Sequence, residues 1–215
     1  MTTVRIIDET NQTTVDLSTL TTAVKYFVPL VTKAWDLPEV DIQLGGTPAK
    51  GDWIIYLTER KRVTGATGFH RFENGVPVAY CSPRAAYRLF GRVYKALVIR
   101  GKQISPARYS EGLITTICHE LAEMLCDPQI STVSSQDALG RNWLVEVCDH
   151  VFASYLIYNS LGVTCVLPDV TTPSFYNIKG VAPYSLNKAV NAPFTMTRKG
   201  YGYYRTSTGA LMKIV

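Results

Sequence analysis

The residues of this chain best suited to chemistry lie in one short stretch, His119-Glu120-Leu121-Ala122-Glu123. At 3.6 residues per turn, His119 and Glu123 lie one turn apart on the same face of a helix, so an imidazole nitrogen and a carboxylate oxygen can bind one divalent ion. Glu120 projects about 100° away from that face. We therefore predict a metal site at His119 and Glu123, with Glu120 as a catalytic general base.

This spacing is related to the H-E-x-x-H motif, in which two histidines bind zinc and the glutamate acts as the general base. Glu123 replaces the second histidine here. A carboxylate in place of a neutral imidazole makes the site more negative, weakens the metal as a Lewis acid, and favours harder cations such as calcium, magnesium or manganese. We expect a divalent cation, either zinc or one of these harder ions.

Two more carboxylates, Glu146 and Asp149, follow in a mainly apolar segment. Val145 and Val147 flank Glu146 and predict its burial, and a buried carboxylate requires a partner. If the segment is helical, Glu146 and Asp149 share a face. One of them would then bind the metal while the other orients a ligand. Arg141 or a lysine is the alternative partner for these acids.

Two further residues are candidates for supporting the site. Asp127, which precedes Pro128, is predicted either to close the helix or to orient a ligand. His70, in the predicted strand Phe69-His70-Arg71, is either a structural residue or a further ligand. The five cysteines have no zinc-finger spacing, and we predict buried, reduced thiols.

Local sequence patterns predict the elements that must position these side chains. A helix is predicted from Ser110 to about Asp127, with Pro128 ending it. Asn74-Gly75 predicts the turn of a hairpin with strands over 68–72 and 76–80, because both residues tolerate positive φ. The other predicted elements are strands over 4–15, 40–44 and 53–57, a helix from about 16 to Trp35 that Pro29 kinks or shortens, a helix over 82–101, and a polar loop over 131–141.

The net charge of +5 is unevenly distributed along the chain. Residues 111–149 contain seven acids and one base, whereas 84–110 contain seven bases and no acid, and 170–215 contain six bases and no acid. An acidic centre among basic surroundings indicates a cation site in a protein that meets a polyanion or an acidic partner. The bases with helical spacing form either a solvated face or an interface: Arg84, Arg88, Arg92 and Lys95.

Length and composition limit the class of protein. At 215 residues the chain is long enough for one well-buried domain with a small appendage. No apolar run approaches the roughly 20 residues needed to span a bilayer, and the N-terminal residues lack a signal-peptide core. We expect a soluble protein made in the cytoplasm, without a membrane partner. The sequence contains no recognisable motif that enters a groove of nucleic acid, so we do not expect sequence-specific binding of nucleic acid.

The motifs taken together resemble a group of tailed-bacteriophage proteins, some of which are labelled metallopeptidases. The likeness covers about residues 65 to 205. Cys118, Ala122 and Lys199 depart from the group's pattern, and none of them replaces a proposed ligand. The matching segments, in chain order, are Gly68-Phe69-His70, Asn74-Gly75-Val76-Pro77, His119 to Pro128, Glu146-Val147-Cys148-Asp149, Thr172-Pro173-Ser174-Phe175, Pro193-Phe194 and Gly200-Tyr201.

The resemblance implies phage origin and a zincin-like site. The predicted order of elements also fits a zincin, with a backing helix, a small mixed sheet with a hairpin, the metal-site helix, and a downstream third ligand. We therefore expect an α+β, zincin-like (metalloprotease-like) domain over 1–160. A β-rich C-terminal extension over 161–215 is expected to pack on this domain or on neighbouring subunits.

Two functions compete at this point. The first is a virion structural or assembly protein that keeps a zincin-like metal site, located in the phage particle after synthesis in the bacterial host cytoplasm. Its partners would be other virion proteins in a symmetric assembly, contacted by the basic helix face and by Tyr201, Tyr203 and Tyr204. The alternative is an active metal-dependent peptidase or hydrolase with Glu120 as its base.

Overall fold

A five-stranded sheet forms the N-terminal half of the molecule. In this computed structural model, which describes residues 1–10, 17–61, 64–89, 109–160 and 163–215, the strands follow the order β2-β1-β3-β5-β4. All neighbours are parallel except β4 and β5, which are antiparallel. The strands are β1 (Thr2–Asp8), β2 (Val40–Leu44), β3 (Trp53–Leu57), β4 (Gly68–Glu73) and β5 (Val76–Cys81).

The β4–β5 hairpin closes on the predicted turn. Asn74 and Gly75 have φ values of 53° and 85°, the positive values that a two-residue hairpin turn requires. The hairpin leaves β4 as an edge strand of the sheet. Its register pairs His70 with Ala79, and the His70 side chain is buried. The hairpin therefore carries one histidine into the interior of the molecule.

Helix α1 (Leu17–Trp35) follows β1 in the chain and runs through Pro29. The prediction that Pro29 could end the helix early was wrong. The apolar stripe continues on both sides of the proline, and Phe27 and Val31 are both fully buried. Burying two such side chains offsets the roughly 3 kcal/mol that an internal proline costs. The helix ends at Trp35, and the next residue, Asp36, has a φ of 56° in the left-handed region that often follows a helix.

Helix α2 is described over 83–89, and Arg84 and Arg88 are exposed on it. Arg92, Lys95 and the rest of the helix predicted over 82–101 lie outside the described residues. Helix α3 (Tyr109–Cys126) packs against α1, β4, β5 and a later strand over Val163–Pro168. It is buried on nearly every side, so its polar residues require partners inside the protein. Its fully or almost fully buried apolar residues are Leu113, Ile114, Ile117, Cys118, Leu121, Ala122, Met124 and Leu125.

The C-terminal half is rich in β structure. A four-stranded sheet has the order β11-β10-β7-β6, and β8 and β9 form a separate hairpin. The predicted domain boundary at 160/161 falls within that hairpin. The elements are β6 (Val133–Gln136), β7 (Asn142–Leu144), β8 (Tyr155–Ser160), β9 (Val163–Pro168), a 3-10 helix (Pro173–Tyr176), β10 (Gly202–Arg205) and β11 (Leu211–Ile214).

The polar segment predicted as a loop over 131–141 contains β6, and that part of the prediction was wrong. Local residue preferences do not favour a strand there, but antiparallel pairing with β7 supplies its hydrogen bonds. The mixed α+β class is confirmed, and the five cysteines are free. Within the described ranges, no helix is long and apolar enough to cross a membrane.

Candidate metal centre

Two elements and one loop bring six acidic and imidazole side chains together. Four of these residues are buried, whereas His119 and Glu146 are partly exposed, so Glu146 is less buried than predicted. Helix α3 contributes His119, Glu120 and Glu123, β4 contributes His70, and the segment after β7 contributes Glu146 and Asp149. Glu120 and Glu123 are each 3% exposed, Asp149 is 6% exposed and His70 is 9% exposed. A charged carboxylate is almost never buried to this degree unless it is paired or binds a metal. The cluster of these six side chains is called the acidic cluster below.

The first half of the acidic cluster surrounds His119. Its Nε2 lies 3.3 Å from Glu123 Oε1 and 3.2 Å from Asp149 Oδ1. Donor atoms at these separations can share one ion, because zinc–nitrogen and zinc–oxygen bonds are about 2.0–2.2 Å long. Cys148 Sγ also lies within 4.8 Å of the donor atoms of His119 and Glu123. The structure thus places carboxylate oxygens of the predicted ligands Glu123 and Asp149 each within 3.3 Å of His119 Nε2, while the group whose donor atoms all lie close to one another is His119, Glu123 and Cys148.

The second half surrounds His70. Its Nδ1 lies 3.5 Å from Glu123 Oε2 and 3.6 Å from Glu120 Oε2. Glu146 joins this half, because donor atoms of His70, Glu123 and Glu146 all lie within 4.8 Å of one another. His70 is therefore part of the site, and Glu146 lies with His70 instead of with His119. Local sequence patterns did not indicate either pairing.

Gly68 makes room for Glu120 at the start of β4. A Cβ atom at this position would lie 2.6 Å from Glu120 Oε1, closer than side-chain carbons approach a neighbouring atom. Any other residue at Gly68 would push the Glu120 carboxyl away from His70 or move the strand. The glycine of the Gly-Phe-His segment therefore has a steric role in the site.

Burial and mutual repulsion disturb the ionisation of the acids. Burial raises the pKa of Glu120 above its usual range. Burial and the charge of Glu123 raise the pKa of Glu146 well above the ordinary value, and they raise the pKa of Asp149 to about 6. Burial acts on Glu123 in the same direction, but its contacts with His119 and His70 lower its pKa below the usual range. Glu123 is thus the carboxylate that the cluster holds charged.

The two imidazoles respond to the acids in the opposite sense. Burial alone would lower the pKa of His119, but Glu123 and Asp149 raise it well above its ordinary value. Burial likewise opposes the charge of His70, and the carboxylates of Glu120 and Glu123 raise its pKa. Without a metal, protons on the histidines balance part of the negative charge. A divalent cation would replace those protons, since a histidine ligand must be neutral.

The protein supplies no lysine or arginine to this cluster among the described ion pairs. Arg141, the partner considered from the sequence, binds Asp137 instead, with 2.6 Å between Nε and Oδ2. Four carboxylates therefore face only two imidazoles. The donor set of nitrogen and carboxylate oxygen fits zinc or manganese.

The segment that holds Glu146 and Asp149 is not helical, so the condition under which these two acids would share a helix face is not met. Residues 147–153 form consecutive turns after β7. His150 fixes these turns from inside: it is fully buried, and its Nδ1–H donates to the Glu146 carbonyl at 2.7 Å. Aromatic rings of Trp143, Phe175 and Tyr176 surround it. The loop is thus shaped by tertiary packing, which turns its two acids towards different histidines.

Asp127 takes the helix-end role considered for it. Its Oδ1 accepts from Ser131 N–H at 3.1 Å and from the Thr132 hydroxyl at 3.0 Å, while Oδ2 accepts from Thr132 N–H at 3.0 Å. These bonds fix the turn that leads from α3 towards β6. Asp127 is therefore satisfied by this turn and joins neither half of the acidic cluster.

Tyr201 is a neighbour of the site that sequence reasoning assigned only to an interface. Its N–H donates to the Asp149 carbonyl at 3.1 Å, and the Tyr201 side chain opposes the rise in the pKa of the Asp149 carboxyl. The Gly200-Tyr201 segment thus lies against the cluster.

Compared with protein-family models, with curated proteins and with solved structures, the chain finds no match.

Proposed function

We propose that the protein binds a divalent cation through His119, Glu123 and Asp149, and that this zincin-like centre stabilises a structural protein of a tailed-phage particle. The observation that carries the metal is the acidic cluster itself. Four carboxylates are held together with two imidazoles and without a lysine or arginine among the described ion pairs. Such a group is strongly unfavourable unless a cation compensates it.

The arrangement of elements supports a zincin-like centre. Helix α1 packs against α3, which lies against the small mixed sheet and carries the histidine and two glutamates, and a third ligand follows downstream at Asp149. The edge strand β4 lies beside α3. This is the order that the sequence predicts for a zincin.

The burial of the site favours a structural cation. A cation between His119, Glu123 and Asp149 would tie α3 to the turns at 147–153, which have little regular structure of their own. Glu120 is 3% exposed, so the cluster offers little access for a large substrate. The additional carboxylate at Glu123 also weakens the cation as a Lewis acid.

Metal content and stability test the structural role. The purified chain is expected to contain at least one divalent cation, measured by mass spectrometry of the elements. Removing it with a chelator should lower the melting temperature by about 5–10 °C, since a ligand at 100 times its Kd stabilises by about 2.7 kcal/mol. Re-addition of the cation should restore the melting temperature. A purified chain without metal, whose melting is unchanged by zinc, manganese or calcium, would overturn the proposal.

Assembly into particles is the second part of the proposal, and the exposed Arg84 and Arg88 on α2 support it. Arg84→Glu with Arg88→Glu should prevent incorporation into particles while the isolated chain stays folded, because the reversed charges repel an acidic neighbour. Lys25→Glu with Lys33→Glu on α1 is the matched control, since both lysines are exposed. Normal incorporation of the arginine variant would contradict an assembly role for this face.

A second candidate function is metal-dependent hydrolysis, which the position of Glu120 favours. Its Oε2 is buried without a hydrogen-bond partner, and its raised pKa moves it towards the range of an effective general base. A bound divalent cation would polarise a substrate carbonyl and acidify water nearby. Glu120 would accept the proton from that water.

Glu120→Gln separates the two functions. The change removes the base and none of the three proposed ligands, so it should abolish hydrolysis and leave the cation at His119, Glu123 and Asp149 and the folding intact. The measurement is release of fluorescent peptides from labelled casein by the metal-loaded chain. Equal activity of the variant and the unchanged chain would exclude Glu120 as the base, and no activity in the unchanged chain leaves the structural function.

A further inference from the structure

Glu123 presents its two carboxylate oxygens to different histidines. Oε1 lies 3.3 Å from His119 Nε2, whereas Oε2 lies 3.5 Å from His70 Nδ1. The two imidazoles approach from different elements, α3 and β4. One carboxylate that faces two separate nitrogen ligands has the geometry of a bridge between two cations.

We propose that the acidic cluster binds two divalent cations, with Glu123 bridging them. The first cation has His119, Glu123 Oε1 and Asp149 as protein ligands, and the second has His70, Glu123 Oε2 and Glu146. The inference rests on the proposed metal-binding function and extends it from a mononuclear to a dinuclear centre. A bridging carboxylate holds two cations about 3.5–4 Å apart, the usual separation in two-metal sites.

The second group of donors has the dimensions of a complete site. Donor atoms of His70, Glu123 and Glu146 lie within 4.8 Å of one another. Small adjustments of these side chains bring three ligands around one ion, because metal–ligand bonds of about 2.0–2.2 Å place donors within roughly 4 Å of each other. Glu146 belongs to this group and not to the group around His119. A single cation at His119 would therefore leave the negative charge of the Glu146 carboxylate without a cation.

A buried carboxylate oxygen without a hydrogen-bond partner also supports the second cation, and this observation does not depend on the number of acids in the cluster. Glu120 Oε2 is buried without a hydrogen-bond partner and faces His70 Nδ1 at 3.6 Å, which is longer than a hydrogen bond. The side chains of Glu120 and His70 are each 4% exposed. Leaving a buried carboxylate oxygen unpaired is costly. A cation held by His70 would satisfy this oxygen as well.

The charges also balance with two cations. Glu120, Glu123, Glu146 and Asp149 together carry four negative charges when ionised, and histidines that bind metal are neutral. One divalent cation leaves two negative charges uncompensated, and protons must then neutralise them. Two divalent cations neutralise all four carboxylates and require no proton on the cluster. The comparison between one and two bound ions is therefore a direct test.

Titration with Mn²⁺ measures the number of sites, because this hard cation binds carboxylates and imidazoles in preference to the thiols of the chain. The full chain is freed of metal with a chelator and titrated with Mn²⁺, with calorimetry and electron paramagnetic resonance as readouts. We expect two ions per chain and the spectrum of an exchange-coupled pair. Glu146→Gln should retain one ion and give the spectrum of an isolated Mn²⁺.

Two further variants make the result decisive. His70→Gln should also reduce two ions to one, and it serves in place of Glu146→Gln if that variant does not fold. Glu73→Gln removes a carboxylate from the same strand as His70, but one that binds Arg71 and Tyr80, so two ions should remain. Fewer than two Mn²⁺ ions in the unchanged chain, or two in both cluster variants, would overturn the dinuclear centre. The metal content of the purified chain tests the proposed function separately.

Discussion

Asp127 and Glu123 occupy adjacent turns at the end of α3 and are buried to the same extent, 3% exposed each. Asp127 accepts hydrogen bonds from two backbone amides and one hydroxyl of the following turn. Glu123 has one weak backbone donor, the Cys148 N–H at 3.4 Å, and otherwise two histidines and other carboxylates around it. The two carboxylates are thus equally buried, but Asp127 accepts far better hydrogen bonds than Glu123 does.

The same difference separates the acidic cluster from buried carboxylates elsewhere. Asp169, 1% exposed, accepts from the backbone of Val170 and Asn187 and from the Ser154 hydroxyl. Asp137 is bound by Arg141 and by the Trp143 indole. This protein therefore provides internal donors where a buried acid is purely structural. Such donors are scarce at Glu120, Glu123 and Glu146, and two of these acids belong to a group of side chains that could hold a metal ion.

Glu123→Gln should have the largest effect on this contrast. The amide keeps the size of the side chain but removes the charge that faces both histidines. We expect the affinity for Zn²⁺ to fall by more than about 100-fold, the upper end of the loss caused by removing only an outer partner of a ligand. Calorimetric titration of the chelator-treated chain measures the change. An affinity within threefold of the unchanged chain would mean that Glu123 is not a ligand.

The buried imidazole of His150 makes the stability of the folded chain depend on pH. Burial lowers its pKa to about 4, so the unfolded chain binds more protons than the folded one between about pH 4 and the ordinary value near 6.5. The stability that comes from keeping His150 neutral is present above pH 6.5 and is lost as the pH falls towards 4. The shift corresponds to at most about 3 kcal/mol.

The test compares His150→Gln with the unchanged chain, both in chelator. Urea unfolding at pH 7 and at pH 4.5 gives the loss of unfolding free energy for each protein. The unchanged chain should lose more unfolding free energy, because its His150 imidazole is neutral while buried and takes up a proton when unfolding in acid exposes it. The remaining titrating groups are common to both proteins and cancel in the difference. Parallel losses would contradict a neutral, buried His150.

Asp127→Ala should have the smallest effect of the three, and it should act on stability alone. Three hydrogen bonds to the turn are lost, which should cost about 1–3 kcal/mol of unfolding free energy. The number of bound cations should not change, because Asp127 lies in neither group of ligands. Chemical denaturation and metal analysis of the same sample measure both quantities. Loss of metal from a folded Asp127→Ala chain would extend the site to the end of α3.

Local patterns predicted the elements that carry the site. The β4–β5 turn at Asn74-Gly75 and the strands over 40–44 and 53–57 agree with the sequence, because turn chemistry and short apolar runs are properties of adjacent residues. The pairing of His119 with Glu123 was equally predictable from the period of the helix. Local patterns did not predict β6, a polar segment that becomes a strand by pairing with β7. They also did not predict that α1 continues through Pro29, where packing of its apolar side chains supports the helix.

The sequence by itself determined that His119 and Glu123 lie one helical turn apart on α3 and that other acids follow, because helical geometry fixes which side chains share a face. Only the tertiary structure decided how the distant groups converge. The β4 register brought His70 to the second oxygen of Glu123, and the buried His150 shaped the turns that send Glu146 and Asp149 to different histidines. Such contacts depend on packing between remote segments, which no local periodicity encodes.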